Sequence, residues 1–143
     1  MSIRAVRNNN PGNIVADGDK WQGLMPRGMM TPEQAAEAHF CVFATPAYGF
    51  RALAKIFITY NRVDRVDTLR QAIKRFAPPS ENDTDAYIRA VCDYTGNGPD
   101  DHFGFRSAPN LQALCKAVAI HECGGWFFSQ SDLAEGVSRA LAG

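Results

Sequence analysis

The chain has 143 residues, 45% of them hydrophobic and 21% charged, which is enough length and apolar material for a single domain over residues 1–143 with its own core. Lys plus Arg and Asp plus Glu number 15 each, so the formal net charge is zero and no global field draws the molecule to nucleic acid or an anionic membrane surface. The opening "MSIRAVRNNNPGNI" has no apolar run of signal-peptide length and nothing resembles a membrane span; synthesis and folding in a cytoplasm, without membrane insertion, are therefore expected.

Residues 8–30 are rich in Asn, Gly, Pro and Met, with Trp21 alone among them. Such a composition predicts an irregular lobe with a small hairpin. "FCVF" (Phe40–Phe43), closed by "TP", is a candidate short strand. From Pro46 the period becomes helical: Phe50, Leu53, Ala54, Phe57 and Tyr60 fall at steps of three and four, one face of a helix running to about Asn61. Thr68 is placed to cap a helix through Leu69, Ala72, Ile73 and Phe76, stopped by Pro78 and Pro79. Asn82 or Asp83 can cap the next, with Tyr87, Ile88, Val91 and Cys92 inward and Gly96 at its end. "NGPDDHFGFRSAPN" reads as a loop, Leu111–Cys123 as a further helix, and Ser131 as the start of the last, with Leu133, Val137 and Leu141 inward. The expected class is α+β with helices dominant: about five helices and a small β or irregular lobe near the N-terminus.

Four cysteines, Cys41, Cys92, Cys115 and Cys123, show no CxxC spacing and read as buried thiols, with any disulfide pairing left open. "HFC" and "HEC" repeat an H-x-C pattern through His39, Cys41, His121 and Cys123. Two positions apart on a helix, such side chains diverge, so no metal site and no cofactor are expected.

The sharpest chemical signal is "HECGGWFF" (His121–Phe128). Leu111, Cys115, Val118 and Glu122 succeed one another at steps of four, three and four, so the glutamate continues a buried stripe. Gly124 and Gly125 terminate the helix, which puts Glu122 in its last turn, against the negative end of the helix dipole. Apolar surroundings and the dipole both favour the neutral carboxylic acid, the form a general acid needs. A glutamate bonded to backbone donors of a neighbouring loop is the competing reading.

"HECGG" resembles the E-S-G-W-G signature that ends the catalytic helix of lysozyme-like peptidoglycan lytic transglycosylases and N-acetylglucosaminidases. Further motifs of that group have counterparts here in rotated order. "NPGNI" (Asn10–Ile14) resembles N-L-F-G-I, "WQG" (Trp21–Gly23) resembles W-x-G, "FCVFATPAYGFRALAKIF" (Phe40–Phe57) resembles the F-R-x-F-x-S strand and its helix, and "FAPPSENDTDAYIRAV" (Phe76–Val91) resembles Y-A-x-D-P-x-Y-A-x-K-V. In that family the glutamate helix comes first; here it comes last. The resemblance therefore implies a circularly permuted lysozyme-like fold, a rearrangement tolerated where the original termini lie close together at the surface. It covers nearly all of Arg7–Trp126 and extends to small phage virion proteins of the lysozyme-like superfamily. Cys123 stands where the family has Ser, Gly125 where it has Trp, and Asn13 where it has Gly; Asn enters the left-handed region more readily than most residues.

What the resemblance implies for function follows residue by residue. Glu122 is the single acid/base that cleaves the β-1,4 glycan strand of peptidoglycan between N-acetylmuramic acid and N-acetylglucosamine, by lytic transglycosylation, with hydrolysis the variant within the class. Tyr87, on the second tyrosine of its motif, belongs in the cleft near Glu122; a plain core tyrosine is the other reading. Glu81 is a second supporting carboxylate or a helix-start residue; Glu33 lies in the early lobe, where some relatives keep a second carboxylate, but matches poorly and reads rather as helix-initiating after Pro32. Asn10, Asn13, Ile14 and Trp21 would contact substrate, although Trp21 is equally suited to packing the small lobe. The implied partners are peptidoglycan strands, and the implied place of action is the bacterial wall, reached in a phage particle or at lysis. The alternative is a non-catalytic virion or envelope component that keeps the fold and binds glycan or protein neighbours.

Overall fold

A computed structural model describes residues 3–143; the first two residues of the expected domain lie outside it. It is mostly helical. Seven α-helices occur among the described residues: α1 Arg4–Arg7, α2 Pro32–Ala35, α3 Pro46–Asp64, α4 Leu69–Phe76, α5 Thr84–Thr95, α6 Ala108–Cys123 and α7 Gln130–Ala142, with a 3₁₀ turn at Arg27–Met29. The five long helices match the expected number; α1 and α2 are single turns inside the lobe, too short to show a period in sequence.

Local chemistry sets the boundaries. Thr68 caps α4 in a reciprocal box with Gln71, and Asp83, rather than Asn82, caps α5 through Ala86 N–H. Thr45 caps α3, which runs three residues past the expected stop and ends where Arg65 turns left-handed at φ 58°. The last helix starts at Gln130, capped by Ser129 and not by Ser131. The face Phe50, Leu53, Ala54 and Phe57 of α3 is fully buried. Helix α6 is buried almost all round, through Leu111, Leu114, Cys115, Ala117, Val118 and Ala119. It is the central helix, packed by α5 and α7, while α7 lies along α3. No helix among the described residues is long and apolar enough to cross a membrane.

The expected β element is corrected. Segment 39–44 is extended, but it pairs on one edge with residues 14–16 (Ala16 N–H to His39 C=O, 2.8 Å; Cys41 N–H to Ile14 C=O, 2.9 Å) and on the other with 23–25 (Met25 N–H to Val42 C=O, 2.9 Å; Ala44 N–H to Gly23 C=O, 2.8 Å). Because each neighbour stays for only two bonds before leaving, just two isolated antiparallel bridges form, Val15 with Phe40 and Leu24 with Phe43. The lobe is irregular, with no sheet.

A charge hub holds this lobe to the N-terminal turn. The Glu37 carboxylate, its side chain only 7% exposed, accepts from Arg7 Nη2 at 3.0 Å and lies 3.7 Å from Arg4 Nε. It also accepts from Asn8 Nδ2 at 3.1 Å and from the backbone N–H groups of His39 and Phe40 at 3.1 and 3.2 Å. Burial opposes the charge, but the Asn8 donor, the two backbone donors and the Arg4 guanidinium outweigh it and hold the carboxyl at about 2. A lowered folded value means stability that is complete above the unfolded value near 4.5 and is lost as pH falls through about 2. At about 1.4 kcal/mol per tenfold, Glu37→Gln is expected to cost up to about 3 kcal/mol at neutral pH, and the gap should close on acidification. Urea melts of both proteins from pH 7 to 2 check this; a gap independent of pH would remove the charge from the explanation.

Candidate functional site

Helix α6 ends at Gly124, whose φ of 76° breaks the helix and leaves Glu122 in its last turn, half-buried, at the end of the apolar stripe. From there the carboxylate meets two chain segments far away in sequence. Asn13 Nδ2 donates to Glu122 Oε1 at 2.9 Å across 109 positions, and the Tyr87 hydroxyl donates to Oε2 at 2.8 Å. Both donors are neutral side chains, so the competing expectation of bonds to loop backbone is not what the structure shows.

Each donor is held in turn. Asn13 adopts φ 48°, in the left-handed region open to Asn. Its loop is pinned by Asn10, which is wholly buried: Nδ2 donates to the carbonyls of Ile14 and Cys41, both at 3.0 Å, and Oδ1 accepts from Ile14 N–H at 2.9 Å. Asn10 therefore shapes the loop from inside and is absent from the cleft wall, unlike Asn13 and Ile14. Tyr87 is 1% exposed, on the inner face of α5, and its ring stacks on His121 at 3.8 Å between centroids. Burial, then the Glu122 charge, drives its hydroxyl far above the usual phenol range, so it serves Glu122 as a donor.

Glu122 opens into a cleft of about 670 Å³ lined by Asn13, Ile14, Trp21, Phe76 and Glu81 among others. Glu81 is at its rim, exposed, in the turn before α5. Trp21 is half-buried, with its indole Nε1 unpartnered among the described residues. Two more carboxylates line the cleft, Asp17 and Asp19; "ADGD" reads only as a turn, and indeed Asp17 Oδ1 accepts from Asp19 N–H at 3.1 Å. Glu33 is exposed in the first turn of α2 and is not part of the cleft.

Cys123 follows the glutamate, and burial, then the Glu122 charge, pushes its thiol up to about 11. A neutral thiol is a poor nucleophile. All four cysteines are free; Cys41 and Cys115 are buried as expected, whereas Cys92 and Cys123 are only partly covered. No cluster of three or more metal-ligating side chains forms among the described residues.

No family model matches the chain. It is similar to Protein P5 of Pseudoalteromonas phage PM2, at 38% identity over 98 residues, which is 66% of this chain and 57% of that protein. The chain thus spans little more than half the length of the relative it matches. The likeness links this mostly helical chain to a phage protein.

Proposed function

We propose that this chain is a phage-associated domain that engages the β-1,4 glycan strand of peptidoglycan and cleaves it, on a lysozyme-like frame in circularly permuted order. The observation that carries the reading is Glu122, half-buried at one wall of the cleft and held by Asn13 and Tyr87 at 2.9 and 2.8 Å. In this reading the neutral Glu122 protonates the glycosidic oxygen as its bond to C1 breaks. The C6 hydroxyl of the same sugar then attacks C1 and returns its proton to the carboxylate, closing a 1,6-anhydro ring.

Transglycosylation is preferred to hydrolysis because Glu122 alone among the cleft carboxylates is half-buried and held by two side-chain donors; Asp17, Asp19 and Glu81 are exposed. Mass spectrometry of fragments released from purified peptidoglycan tests the choice. Anhydro ends are expected; reducing ends would assign hydrolysis with one of those carboxylates activating water. A second reading draws on the likeness to Protein P5 of phage PM2, which supports a phage setting and leaves cleavage aside. On that reading the chain is a particle component that binds glycan or protein neighbours without cutting. Strand binding without released fragments would select it.

A further inference from the structure

A second groove adjoins the cleft and carries the opposite charge. It is lined by Lys20, Trp21, Gln22, Arg51, Lys55 and Thr59 and measures about 420 Å³. Trp21 and Thr59 line both hollows, so one runs into the other. The cleft has four carboxylates on its walls, Asp17, Asp19, Glu81 and Glu122, and no Lys or Arg. The groove has three cations and no carboxylate.

Those cations are free to act. Arg51, Lys55 and Thr59 recur every four positions along α3, with Arg62 three further on, so one helix face presents them. Among the described residues, no close Arg–carboxylate pair includes them: the pairs join Arg4 and Arg7 to Glu37, Arg70 to Asp100, Arg75 to Asp64 and Arg139 to Glu135. Burial, then the charges of Arg51 and Arg62, lowers the Lys55 ammonium below its ordinary value. Like charges gathered without a close ion pair are a cost that a bound anion relieves. In a chain of zero net charge, their collection beside the cleft is a local feature.

We infer that the groove of Lys20, Arg51 and Lys55 binds carboxylates carried as substituents on the glycan strand whose backbone occupies the cleft. This rests on the proposed glycan reading and adds the strand's substituents to it. The sugar backbone is neutral and suits a wall without cations, where Trp21 offers a stacking face at the junction. A carboxylate on the adjoining sugar would cross Trp21 and Thr59 and meet the guanidinium and ammonium groups. In peptidoglycan such carboxylates come from two sources, the lactyl ether of muramic acid and the peptide stems attached to it.

Binding of the wild-type protein, measured in the cold to limit turnover, separates the cases with three probes: a neutral N-acetylglucosamine oligomer, stem-free glycan strands that keep the lactyl carboxylate, and stem-bearing strands. At least about fivefold tighter binding of one or both carboxylate-bearing strands over the neutral oligomer is expected, the yield of two or three half-exposed ion pairs. Whichever strand shows the gain names the source. The Arg51→Gln/Lys55→Gln double variant should bind every probe at the neutral-oligomer level, and added salt should do the same to the wild type. Retained binding of the neutral oligomer by the variant shows that it is folded. If the wild type lacks the preference, or the double variant keeps it, the groove assignment falls while neutral-oligomer binding upholds the cleft. If no glycan binds, the groove assignment and the glycan reading fall together. Binding of duplex DNA that the double variant loses, with no carboxylate preference among the glycans, would overturn the assignment in favour of nucleic acid.

Discussion

Glu122→Gln is expected to fold like the wild type and to release fragments from peptidoglycan about 10²–10⁴-fold more slowly, the range of a positioned general acid. The amide keeps the shape of the side chain. Its Oε1 can still accept from Asn13 Nδ2, now 2.9 Å from the carboxylate, and its Nε2 can donate to the Tyr87 oxygen, which takes the carboxylate's other bond at 2.8 Å. Tyr87 need only rotate its O–H to become an acceptor. Both contacts survive without charge assistance, so stability should fall by no more than about 1 kcal/mol at neutral pH. The helix end considered alone points to equal or greater stability for Gln; the two donors reverse that sign. Zymography and thermal melts of the same preparations check both halves. Clearing at near wild-type rate would show that Glu122 is not the acid, and a loss of several kcal/mol would make it a structural anchor.

The helical part of the fold was legible because its signals are local. Caps at Thr68 and Asp83, the apolar period along α3 and the glycine after Cys123 each act within a few residues of the boundary they set. The lobe was legible as irregular but not in detail, since its order comes from partners about thirty positions away. Asn9 Nδ2 donates to Phe43 C=O at 2.9 Å, Asn8 serves Glu37, and Asn10 reaches Cys41. Nothing within "RNNNPGN" distinguishes these duties, so Asn10 read as a substrate contact although it is wholly buried. Glu37 carries no signal in the sequence; its worth comes from four donors and the Arg4 guanidinium converging from two chain segments. The neighbours of Glu122 were accessible by another route. Asn13 and Tyr87 were singled out through the family motifs, not through periodicity or composition, and the structure brings both onto its oxygens. Asp17 and Asp19 carried no such motif, and their place on the cleft wall depends on how the lobe folds back.

Gly136→Ala is expected to destabilise the fold by about 2–4 kcal/mol, with Gly136→Val worse. Glycine inside a helix ordinarily costs about 1 kcal/mol against alanine, so its presence mid-way along α7 calls for a packing reason. The α3–α7 crossing supplies one. A Cβ at Gly136 would lie 2.5 Å from Phe50 Cβ, 2.6 Å from the Ala47 carbonyl oxygen and 2.8 Å from the Arg51 backbone nitrogen. Two of these neighbours are α3 backbone and the third is rigidly attached to it, so no rotamer change makes room. The helices must separate, loosening the contact through which α7 buries Leu133, Val137 and Ala140. Phe50 would carry the strain onward, since its ring lies 5.4 Å from Phe128 and 6.0 Å from Trp126 between centroids. Gly28 supplies the control, because a Cβ there meets nothing within 4 Å and Gly28→Ala should stay within about 0.5 kcal/mol of wild type. Urea midpoints of the wild type and the three variants at neutral pH decide the matter. A Gly136→Ala protein as stable as wild type, or one that gains the helix-propensity term, would mean that α3 and α7 do not approach this closely and that the glycine is there for some cause other than packing.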